Sequence, residues 1–188
     1  MAKRTERILV CEFNQLLPLP PILPPLTSPF PIGLTNGGVV NLATLEACRK
    51  NDCEVVLLSA VINWSATFTP PSSVSSSSLL NTPGYANVTF EFLTNGVVIY
   101  RVTQTAAQNG FPLNQPTVLF SSAATTYEIA SMLFLDTTPI CCNRHQKLNI
   151  YTLRASNITL IPPQFSTSGA TTTAAVGAVT FVLNIKER

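Results

Sequence analysis

Five cysteines and a single histidine hold most of the reactive chemistry open to this 188-residue chain. Cys48 and Cys53 form a C-x4-C pair, Cys141 and Cys142 are adjacent, Cys11 stands alone near the start, and His145 follows the adjacent pair by three residues. Thiolate and imidazole suit zinc, so Cys48, Cys53, one of the adjacent pair and His145 make one candidate ligand set, although their spacing matches no zinc knuckle. Reduced thiols in a cytosolic protein are a second reading, and disulfides formed once an assembly meets an oxidising exterior are a third. Adjacent cysteines pair poorly with each other because the small ring strains the peptide; on extended backbone they point to opposite sides and can serve two partners. An odd total leaves one thiol without an internal mate. Cys11 is the expected one, bridging to Cys141 or Cys142 of a neighbouring copy and giving ladders on non-reducing gels.

Catalysis finds little support. One histidine limits acid–base work near neutral pH, no serine or cysteine nucleophile motif surrounds it, and the nine acidic residues are scattered. His145 reads as a solvated loop residue. Metal-dependent jelly rolls need several histidine and carboxylate ligands, which this chain cannot supply. There is no glycine-rich phosphate loop, and "TNGG" at 35–38 reads as a turn. Asn63, Asn87 and Asn157 begin glycosylation sequons, which here reflect strands rich in Asn and Thr. The expectation is no enzyme and no cofactor.

The elements that position these residues begin with "RILVCEF", a short strand inside an N-terminal segment, 1–16, with no hairpin partner nearby. Ile8, Leu9, Val10, Cys11 and Phe13 are its apolar positions. A proline-rich arm, 17–40, follows; seven prolines lie in 17–33, among them Pro20, Pro21, Pro24 and Pro25, with no charge. X-Pro steps exclude helix and favour polyproline II, so 17 such residues span about 50 Å at about 3.1 Å each. The arm reads as a semi-rigid tether able to deliver the strand to a neighbour. "NLATLEACRKND" at 41–52 places Leu42, Leu45 and Cys48 at helical spacing and predicts a short helix.

From Cys53 onward the pattern is strands. Val88, Phe90 and Phe92 alternate with Thr89 and Glu91, and Asn95-Gly96 supplies the two positive-φ positions of a type I′ hairpin turn. Near the end Val179, Phe181, Leu183 and Ile185 face one way while Thr180, Asn184 and Lys186 face the other. Ser/Thr/Pro-rich loops join these runs without βα alternation. This predicts an all-β fold over 41–188, an antiparallel β-sandwich of jelly-roll type behind an extended N-terminal arm.

Composition narrows the partners. Hydrophobic residues reach 46% and charged residues 11%, under half of the usual charged share of about 25%. The net charge of +2 is small and its basic residues are dispersed, which argues against nucleic acid. The long uncharged stretches are broken by Ser, Thr, Asn and Pro and are not membrane spans. The N-terminus has no apolar signal core, so synthesis in the cytosol is expected. A weakly charged surface is a solubility liability in a cytosol and suits an insoluble assembly.

"LPLPPILPPLTSPFPIGLT" resembles the exosporium leader of collagen-like glycoproteins on Bacillus-type spores. "FEFLTNGVVIYRV" and the final "AVTFVLNIKER" are similar in pattern to the jelly-roll domains of exosporium and spore-appendage proteins. Absence of a Gly-X-Y tract excludes a triple-helical stalk. The resemblance implies a self-assembling subunit of a spore-surface fibre or exosporium layer, joined by its N-terminal strand to copies of itself or to a spore-surface anchor protein, with cysteines linking neighbours. It also implies release when the mother cell lyses. The alternative is a trimeric jelly-roll adhesin or lectin-like binding head, with its ligand patch in the Ser/Thr loops.

Overall fold

Alternation of β-branched and aromatic residues with small polar ones is what builds this chain, and every regular element is a strand. The computed structural model describes residues 7–13, 31–48, 54–71, 80–108, 123–137, 148–165 and 169–187. In chain order the strands are β1 (Arg7–Phe13), β2 (Ile32–Leu34), β3 (Val40–Cys48), β4 (Glu54–Thr69), β5 (Leu80–Thr82), β6 (Tyr85–Thr94), β7 (Val97–Ala107), β8 (Ala124–Asp136), β9 (Leu148–Ile161), β10 (Gln164–Phe165) and β11 (Thr171–Glu187).

Two antiparallel sheets pack face to face. The first runs β1-β11-β4-β8, with β2 also paired to β11, and the second runs β3-β9-β6-β7; β5 and β10 form a separate two-stranded ribbon. Apart from the β6–β7 hairpin, the main strands pass alternately from one sheet to the other, which is jelly-roll topology. Residues 7–13 and 32–34 enter the sandwich itself, so its first sheet draws on chain before and within the segment expected to be an arm. Among the described residues no helix is long and apolar enough to cross a membrane.

The core lies between the sheets. On β4, Val56, Leu58, Ile62, Trp64 and Phe68 point inward at every second or fourth position, and Phe181 and Leu183 of β11 join them, all buried. Val88, Phe90, Phe92, Tyr151 and Leu153 face them from the second sheet. Phe92 stacks on Phe181 across the core at 5.5 Å between ring centroids, and Trp64 meets Phe90 edge-on at 6.1 Å. Burying each such side chain stabilises the fold by about 1.5–3 kcal/mol.

The Asn95-Gly96 turn forms as expected, with φ of 49° and 83°. The helix expected over 41–52 does not form: 40–48 is strand β3, paired with β9 from Val40↔Ala155 to Cys48↔Leu148. A β-bulge between Asn41 and Ala43 explains the misleading spacing. The extra residue shifts the in–out alternation by one, so Leu42 and Leu45, an odd number apart, both turn toward the core. Thr89 and Glu91, expected on the open face of β6, are also buried, because polar neighbours close over them.

Candidate assembly edge

The feature most suited to function is the outer edge of the first sheet, where one lane on β11 is shared by two strands. β1 pairs antiparallel with β11 from Arg7↔Ile185 to Phe13↔Val179. β2 pairs in the same sense from Ile32↔Val176 to Leu34↔Ala174. The two therefore run in line along one edge, and the 18 residues between Phe13 and Ile32 leave and rejoin it at points only three residues of β11 apart, about 10 Å at strand rise. At that gap β11 itself shifts register against β4, between Val176 and Val179.

The body end of this connection is pinned. After β2, Gly37 N donates to Ile158 O at 2.7 Å and Leu160 N donates to Asn36 Oδ1 at 3.0 Å, which ties the turn before β3 to β9. The other end is held as β1, seven residues of edge ladder on β11. Ile8, Leu9, Val10, Cys11 and Phe13 all lie on β1, with Cys11 opposite Phe181. Pro20, Pro21, Pro24 and Pro25 lie outside the described residues.

Described strand ends border the cysteine-bearing segments in sequence. Cys48 closes β3 opposite Leu148, β4 opens at Glu54 opposite Glu187, and β8 closes at Asp136 opposite Val56. Cys53 precedes β4, and Cys141, Cys142 and His145 lie between β8 and β9 in sequence. Those four residues lie outside the described residues. Among the described residues no three metal-ligating side chains cluster. The edge strand β3 of the second sheet runs near β1, the strand that holds Cys11.

Polar side chains elsewhere are structural. Arg154 Nε and Nη2 donate to Glu91 Oε2 at 2.9 and 2.7 Å. Tyr151 Oη donates to Asp136 Oδ2 at 2.9 Å in the interior. A groove of about 540 Å³ crosses the outer face of the first sheet, with Pro31 at one end, Gly177 and Asn63 in its path, and Tyr127 and Ile129 at the other end.

The comparisons with known proteins assign no family. No family model matches this chain, and no curated protein does. Among solved structures, dimeric latent PorU from Porphyromonas gingivalis is similar at 13% identity with a TM-score of 0.31, covering 100% of this chain and 13% of PorU. The VP2 subviral particle of infectious bursal disease virus is similar at 10% identity with a TM-score of 0.22, over 97% of this chain and 41% of VP2. This chain spans well under half the length of either.

The site residue that the sequence could not supply is β11's outer edge. Val179, Phe181, Leu183 and Ile185 were legible as a half-buried strand, but nothing local says that the strand lies second in its sheet and takes β1 along its flank.

Proposed function

We propose that this chain is a structural, self-assembling subunit of a spore-surface fibre or exosporium layer, joined to copies of itself by exchange of β1. The observation that carries this reading is the split lane on β11. A stiff, proline-rich segment able to span about 55 Å as polyproline II connects two points about 10 Å apart. Closing it within one chain bends a segment that prefers to be extended. Exchange keeps all seven β1–β11 pairs, because a neighbour's β11 offers the same register, and it lets the segment extend. Such a contact is head-to-tail, and head-to-tail contacts that do not close on themselves give filaments. Main-chain hydrogen bonds supply the affinity, as in other strand additions. The spore setting rests on the resemblance of the arm to an exosporium leader, with release by mother-cell lysis. The partners are further copies of this chain and a spore-surface anchor protein; no cofactor enters.

Glu12 stands opposite Thr180 in the β1–β11 register, which permits a direct test. Chains carrying only E12C are refolded together with chains carrying only T180C. A disulfide-linked dimer that requires both variants is expected, since opposed antiparallel residues lie about 4.5–5.5 Å apart at Cα, within disulfide reach. If the mixture gives no such dimer while the double variant closes within single chains, exchange is wrong. Electron microscopy of the unmodified protein should show open-ended fibres, whereas a fixed trimer by light scattering would favour the binding head instead.

A further inference from the structure

The opposite edge of the first sheet carries a second contact, independent of β1. β8 ends that sheet, and among the described residues its only ladder partner is β4, through thirteen successive pairs from Val56↔Asp136 to Phe68↔Ala124 with no bulge. β8 contains no proline, lysine or arginine; its blunting is confined to two inward carboxylates, Glu128 and Asp136, and to one end, where Thr126 Oγ1 donates to Ala107 O of β7 at 2.9 Å. Its outward face is apolar: Tyr127 is 80% exposed, Ile129 63%, Leu133 64% and Leu135 48%. With Val61 beside them on β4 they leave roughly 500 Å² of apolar surface uncovered, at the upper end for a monomer.

The order of these residues says what would pair beside them. Tyr127, Ile129, Ser131, Leu133 and Leu135 follow one another at every second position, and the pattern is symmetric about Ser131. We propose that β8 pairs with β8 of a second copy, antiparallel about a two-fold axis at Ser131, making one continuous sheet from two sandwiches. In that register Ile129 opposes Leu133 and Tyr127 opposes Leu135 of the second copy, the apolar cross-strand pairs that stabilise antiparallel ladders. Glu128 opposes Phe134 and Asp136 opposes Thr126, so no two carboxylates stand directly opposite. A two-fold contact uses the same patch on both partners, and this patch is self-complementary.

The test is a cysteine on the axis. Ser131→Cys should give a covalent dimer on mild oxidation in most chains, because the two residues would be self-opposed within disulfide reach. Thr125→Cys, far from the axis, should not. The double variant Ile129→Lys, Leu133→Lys should lose the two-fold contact by light scattering while its circular dichroism and melting stay unchanged, both positions being exposed. Failure of Ser131→Cys to cross-link above the Thr125→Cys level overturns the proposal, as does an assembly mass that the lysine pair leaves unaltered. The E12C and T180C mixture reports β1 exchange separately, so either contact can fail while the other stands.

Discussion

Glu91 shows how single residues set the outer face of the second sheet. Its carboxylate is buried on a face that alternation alone assigns to solvent, and Arg154 makes that tolerable by closing over it from β9 with two hydrogen bonds to one oxygen. Arg154→Ala should cost about 2–4 kcal/mol in chemical denaturation, because it strands a buried charge, whereas replacing both partners by apolar residues should cost much less. Phe92 is the aromatic hinge of the core, stacked on Phe181 and, at 6.1 Å, on Tyr100. Phe92→Ala should lose about 3–5 kcal/mol by the same measurement. Gly84 has no room for a side chain: a Cβ there would lie 2.8 Å from both Phe68 and Pro163 atoms. Gly84→Ala should therefore destabilise by about 1–3 kcal/mol, seen as a lower melting temperature.

Elements differ in how far their own residues specify them. The β6–β7 hairpin is local: Asn95-Gly96 sets the turn, and Asn95 adds bonds to β9, accepting from Ile150 N and donating to Asn149 Oδ1, both at 3.0 Å. β3 is the opposite case, since its helical spacing dissolves once pairing with β9 and the bulge at Asn41–Ala43 decide the backbone. Propensity over nine residues is worth less than a full ladder of sheet hydrogen bonds. β1 is a strand by composition and an edge by placement. Pairing proline substitutions at two successive positions, Val10→Pro and Cys11→Pro, ensures that one removes a β1 donor to β11, and for that one hydrogen exchange should show lost protection along 179–185 at the amides that face β1, with those that face β4 still protected. Uniform loss across β11 would mean that β1 supports the whole sheet rather than its edge.

At the scale of the whole molecule the chain closes on itself late. Arg7 pairs with Ile185, so the first strand synthesised waits for the last, and such long-range pairing makes folding slow, of order milliseconds to seconds. During that interval β11 edges of neighbouring chains compete for β1, which makes exchange concentration-dependent. Refolding at increasing protein concentration should raise the assembled fraction and, with it, the yield of the E12C–T180C bridge. Two-fold pairing at β8 would close that edge of the first sheet, while exchange at the other edge would replace each β1 by a neighbour's in the same place.

The sequence by itself determined that this is an all-β chain of weakly charged strands, that 86–106 makes a hairpin, that the last strand is half-buried, and that a proline-rich, uncharged stretch follows the N-terminal strand. Each of these depends on period-two alternation, positive-φ turn residues or proline geometry, which act within a few residues. Only the tertiary structure decided that β1 and β2 share one lane on β11, that 40–48 is a strand, that Glu91 is buried, and that the apolar side of β8 faces outward on the strand that ends its sheet. Those outcomes depend on which strands become neighbours, and strand pairing across more than a hundred residues leaves no local mark in the residues that make it.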